Sequence, residues 1–191
     1  MASEPAYLLA LKAYSKSRYG TADDVKSILD DFTNESDRGA VMLAATGVED
    51  MLEYEILKRL PVLQTDNAAR KQMFEQDGPI SSFSLKIKMA YALGIIDKDY
   101  RKRIDLIREI RNACAHCRKP ISLAVPEFQA VVKVVIADML PGLINQEPST
   151  LRSAFVITTS FVSHYIVTGE KVEGEEAQTA FWERLQTQEG S

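Results

Sequence analysis

Residues 98–119, KDYRKRIDLIREIRNACAHCRK, decide how the chain folds. At 100° per residue with Ile107 as origin, Tyr100 falls at about 20°, Ile104 at about 60°, Ile110 at about −60° and Cys114 at about −20°. That is one apolar stripe on an amphipathic helix. Asp97 stands just ahead of it, where a carboxylate can accept from the free N–H groups of a first turn. The spacing predicts a helix over 98–116.

The same period extends outward in both directions, and nothing alternates strictly at period two over more than a few residues. The expected class is all-α, a single-domain bundle of about seven to eight helices over 1–170, with an acidic, mobile tail over 171–191. Helices are expected after Pro5 to Gly20, from Thr21 to about Asn34, and from Asp37, capped by Ser36, to Leu60, where Pro61 ends the run. A short helix follows at Asn67–Glu75. Asp77-Gly78-Pro79 is a turn, and Ser82 or Ser84 caps a helix that Gly94 stops. Pro126 opens a helix to near Leu140. Ser149-Thr150 caps the last large segment, to Gly169, although its β-branched run Val156-Ile157-Thr158-Thr159 also fits a strand. A short helix is placed around Phe181-Trp182.

The 191 residues are 46% hydrophobic and 26% charged, which excludes disordered and collagenous classes. The formal charge of −4 argues against a surface that grips nucleic acid all round. That average hides an asymmetry. Residues 98–119 hold eight basic and three acidic residues, a local +5, which leaves −9 for the rest. A basic run of this kind is either a solvated helix face paired with acidic neighbours or an anion site, with nucleic acid as one ligand.

Arg111 sharpens the choice, because at about 40° it lies inside the apolar stripe. A guanidinium there needs a carboxylate, a carbonyl or a ligand. One reading pairs it with Glu49 or Glu53; the other gives it a functional role. Arg103, at about −40°, lies near the helix start, where its stem can carry the charge outward. His116 follows Arg111 by five residues, about 140° round the helix. The two can address one substrate only if the helix ends there or two copies of the chain face each other, so a homodimer is expected. An arginine to hold phosphate and a histidine to move a proton suffice in principle for metal-free RNA cleavage. The alternative for His116 is a cap on last-turn carbonyls.

Cys114 and Cys117 form a C-x-x-C, but structural zinc needs four ligands and His164 is the one other His or Cys available. No metal and no cofactor are expected. A redox role would want a βαβ context, and Cys114 reads as a small core residue. The start lacks the features of a secretory signal, and residues 153–169, free of charged side chains, carry six Ser/Thr hydroxyls and His164. The expectation is a cytoplasmic protein without a membrane span.

The block from Asp77 to His116 resembles the central part of the mannitol operon repressor family. The features that carry the likeness are Asp77-Gly78-Pro79, Ser84 followed by Lys86 and Lys88, Tyr91-Ala92-Leu93-Gly94 with Ile95-Ile96, Tyr100, and the helix from Leu106 to His116. The long helix from Asp37 to Pro61 agrees in placement. The resemblance implies an all-α transcriptional regulator that acts through protein partners, without a DNA-binding motif of its own. Arg108, Arg111, Asn112 and His116, with Lys86 and Lys88, are its candidate binding residues. Ile110-Arg111-Asn112 with Ala115-His116 is also similar to the R-N-x-x-x-H signature of the HEPN superfamily, from which the chain departs at Cys114 and Cys117. That likeness implies a metal-independent, dimeric endoribonuclease or a toxin-like RNA-binding domain. Arg111 and His116 would be the catalytic pair.

Overall fold

The computed structural model describes Ala6 and residues 35–75, 77–175 and 178–179. The helices expected before Asn34 fall, apart from Ala6, outside the described residues, as does the one around Phe181-Trp182. The described residues form seven α-helices and contain no strand, so the all-α class is as expected.

Helix α1 (Asp37–Lys58) starts where Ser36 Oγ accepts from Gly39 N at 3.1 Å. It stops two residues before the expected Leu60. Pro61 does more than end it: its preset φ and missing N–H suit a first turn, and it opens α2 (Pro61–Thr65). Asp66 Oδ1 then accepts from Ala68 N and Ala69 N, both at 2.9 Å, and caps α3 (Asn67–Phe74). At the following turn a Cβ on Gly78 would lie 2.5 Å from the carbonyl oxygens of Gln72 and Met73. Only glycine lets the chain fold back so closely.

Ser82, not Ser84, caps α4 (Phe83–Ala92), accepting from Leu85 N at 3.3 Å. Gly94 ends this segment at φ +68°, a conformation glycine adopts without a Cβ penalty. Asp97 Oδ1 accepts from Asp99 N at 3.0 Å and Tyr100 N at 2.9 Å, and α5 runs from Lys98 to His116 as its periodicity predicts.

Helix α6 (Pro126–Ile136) ends earlier than the expected Leu140. Leu140 precedes Pro141, and a residue before proline is pushed from the helical region; its φ and ψ are −132° and 57°. The last helix, α7 (Pro148–Thr168), begins at Pro148 rather than under a Ser149-Thr150 cap. The β-branched run 156–159 is helical throughout, which overturns the strand alternative. Burial of Val156, Thr158 and Thr159 outweighs their modest preference for strand.

Helix α1 is the hub and packs against α7, α5 and α4, while α6 lies on α7 and α5. Val48, Leu52 and Ile56 of α1, Ile104 and Ile107 of α5, and Phe155 and Phe161 of α7 are all fully buried in one core. Each contributes about 1.5–3 kcal/mol by leaving water. The core continues past α7 to Val172, which is buried. Lys171 beside it reaches Asp97 at 2.9 Å.

Candidate functional site

Helix α5 carries Arg108, Arg111, Asn112 and His116 on its C-terminal half, and the packing of its apolar stripe orients them. Ile107, Ile110 and Cys114 are buried, and Cys114 is fully enclosed. Burial pushes its thiol up to about 11, with the Arg38 charge opposing. Both cysteines are free thiols.

Arg111 is half-buried at the edge of this stripe. Its Nη1 donates to Asn112 Oδ1 at 3.4 Å, while its Nε is buried with no hydrogen-bond partner among the described residues. The expected partners are engaged elsewhere. Lys86 of α4 takes Glu49 Oε1 at 2.9 Å and Glu53 Oε2 at 3.0 Å, and Arg70 of α3 reaches Glu53 at 3.2 Å. The reading of Arg111 as an ion-pair partner of Glu49 or Glu53 is therefore corrected. A row of carboxylates on α1 matched either cation by sign, and the register of α4 against α1 brought Lys86 there.

Arg103 is buried along its stem, which carries the guanidinium out to the exposed carboxylate of Asp138; Nη2 donates to Oδ2 at 2.8 Å, with the guanidinium 5.4 Å from the Tyr100 ring centroid. Arg108 bonds Asp105 at 3.4 Å and also Glu109. His116 is the last residue of α5 and is exposed, and Lys88 is exposed on α4. The structure thus brings Arg111 and Asn112 together. It leaves His116 just over one turn further on, and holds Lys86 in a separate buried network.

Sequence reasoning did not single out Arg38 or Asp37. Arg38 Nη2 donates to Cys117 O at 2.7 Å and Lys119 O at 2.9 Å, and Asp37 Oδ2 accepts from Leu123 N at 2.8 Å. These bonds clamp the loop after His116 to the start of α1. Both residues read locally as first-turn charges, and no spacing links them to a loop some eighty residues away.

A second polar cluster sits at the other end of α5. Tyr100 and Tyr165 stack with centroids 3.6 Å apart, and Tyr165 Oη accepts from Asp97 N at 3.2 Å. Burial raises the hydroxyl of Tyr100 well above its usual range. A shallow cleft of about 510 Å³, lined by Lys71, Gln72, Glu75, Asp77, Gly78 and Pro79, contains none of the predicted residues. Among the described residues there is no cluster of metal-ligating side chains, and no helix is long and apolar enough to cross a membrane.

No family model matches the sequence, and no curated protein matches it. The fold is similar to that of a solved chain in the X-ray structure of the MtlR-HPr complex from Escherichia coli, with a TM-score of 0.59 at 18% identity. The likeness covers 76% of this chain and 97% of that one. At this identity it is a likeness of fold.

Proposed function

We propose that this chain is a non-enzymatic, cytoplasmic transcriptional regulator of the mannitol-repressor type that works by binding a protein partner. The observation that carries the reading is the shared fold, which spans 97% of a chain whose structure was solved in a complex with HPr. The charge distribution agrees. Within the basic segment, Lys102 bonds Asp99, Arg103 bonds Asp138, and Arg108 bonds Asp105 and Glu109. Three of the eight cations of this segment are thus bonded to carboxylates of the same chain, and the whole chain stands at −4, a field that opposes a long phosphate backbone. Arg111, Asn112 and His116 remain as contacts at the end of α5, beside Arg108, which a partner would meet together with Asp105 and Glu109.

Calorimetric titration with purified HPr tests the reading. A saturable complex with Kd on the order of micromolar is expected. No heat at concentrations about a hundredfold higher would overturn it.

One observation favours a second reading, a metal-independent endoribonuclease built from two copies of the chain: the Nε of Arg111, buried with no partner among the described residues, beside Asn112 and just over one turn from exposed His116. Arg111 would hold the phosphate and His116 would transfer the proton to or from the ribose oxygens. Incubation of single-stranded RNA with EDTA separates the two. Cleavage by wild type that disappears in His116→Ala would favour the nuclease, and intact RNA in both would favour the regulator.

A further inference from the structure

We infer that the corner between α4 and α5 is a docking surface for an acidic polypeptide segment bearing an apolar side chain. This rests on the protein-partner reading and assigns it a surface and a partner chemistry. Tyr91 and Leu85 are 40% and 36% exposed on α4, with the exposed Lys88 between them at helical spacing. The Arg101 guanidinium, one turn into α5, lies 4.8 Å from the Tyr91 ring centroid, which carries the patch from one helix to the next. Exposed Lys98 is one turn before Arg101.

The neighbouring carboxylates are engaged elsewhere. Asp97 bonds Lys171 at 2.9 Å, Asp99 bonds Lys102 at 3.4 Å and Asp105 bonds Arg108 at 3.4 Å. Lys88, Lys98 and Arg101 therefore form no ion pair among the described residues. Arg101 lies over the Tyr91 ring, Lys88 is one turn before Tyr91 on α4 and Lys98 one turn before Arg101 on α5, while the rest of the chain sums to −7. Such a patch complements carboxylates, and the edges of Tyr91 and Leu85 offer contact to an aliphatic or aromatic side chain.

Two features favour a peptide over a nucleic acid. The guanidinium covers one face of the Tyr91 ring, where a base would stack. The chain as a whole carries −4, which opposes a long phosphate backbone laid across it, whereas a short acidic segment can be confined to the cations of the corner.

The test is fluorescence anisotropy of the full chain with a labelled, Glu-rich peptide of about twelve residues carrying a central Leu and Phe. Its Ser-for-Glu counterpart and a single-stranded oligonucleotide of similar length are the comparisons. Lys88→Glu with Arg101→Glu should weaken peptide binding at least about tenfold. Arg118→Glu with Lys119→Glu, in the loop beyond the far end of α5 and so more than about 20 Å along the helix from Arg101, should leave it unchanged. Lys88→Gln with Arg101→Gln provides a milder pair, and melting curves confirm that each variant is folded.

Unchanged affinity in both corner variants would overturn the inference, as would equal binding of the Ser peptide or tighter binding of the oligonucleotide. HPr titrated into wild type separates this failure from that of the broader reading. HPr binding without peptide binding sinks the docking surface alone; peptide binding at the corner without HPr binding sustains the surface and sinks HPr as a partner.

Discussion

Lys86 Nζ donates to Glu49 Oε1 at 2.9 Å across the interface of α4 and α1, and the residue carrying it is only 6% exposed. Burial disfavours the ammonium, but the hydrogen bonds and charges of Glu49 and Glu53 more than offset this and hold its pKa above the usual lysine value. The pair fixes the rotation of α4 on α1, and with it the side of the bundle on which Lys88 and Tyr91 emerge.

Removing that cation leaves two half-buried carboxylates facing each other. Lys86→Ala is expected to cost about 3–5 kcal/mol, the usual consequence of breaking a buried pair from one side. Combining Lys86→Met with Glu49→Gln and Glu53→Gln should recover most of the loss. Urea unfolding at neutral pH measures both, and a cost under about 1 kcal/mol for Lys86→Ala would show the network to be solvated.

Arg111 predicts the opposite behaviour. It has no carboxylate partner among the described residues, and its Nε is buried without an acceptor. Arg111→Met keeps the stem's apolar contacts and removes an unsatisfied donor, so stability should stay within about 1 kcal/mol of wild type. A loss of several kcal/mol in a melting curve would mean that the guanidinium holds the fold together.

Stability should fall on acidification partly through Asp97. Burial alone would raise its carboxyl, but bonds from Tyr100 N, Lys171 and Asp99 N together lower it below the usual 3.8. A depressed folded value means that this contribution is present above 3.8 and is lost as pH falls through the folded value. Asp97→Asn should therefore be less stable than wild type near pH 6, with the gap narrowing toward pH 2. A gap constant with pH would assign the effect to the cap's geometry rather than its charge.

The two thiols should react in order. At pH 8 only about one in a thousand Cys114 side chains is thiolate, given a value near 11, and the residue is fully enclosed. Cys117 is half-buried at the end of α5. Iodoacetamide followed by mass spectrometry should label Cys117 in the native protein and Cys114 only after unfolding. Equal rates would show that the end of α5 opens readily.

Much of the chain's helical architecture was legible because its signals are local. The stripe of Tyr100, Ile104, Ile107 and Cys114, the caps at Ser36, Ser82 and Asp97, and the stop at Gly94 each depend on residues within a turn or two. Where such reading failed, a proline decided the boundary: Pro61 and Pro148 begin helices, and Pro141 shortens α6 from beyond its end.

The sequence by itself determined the all-α class, most element positions and the presence of Arg111 on the apolar side of its helix, because helical period and capping act over a few residues. Only the tertiary structure decided which charges meet. Coulomb attraction is indifferent to sequence separation, and several cations suited Glu49 and Glu53 by sign alone. The packing of α4 and α5 on α1 gave those carboxylates to Lys86, sent Arg103 to Asp138, tied Arg38 to the loop after His116 and left Arg111 without a carboxylate among the described residues.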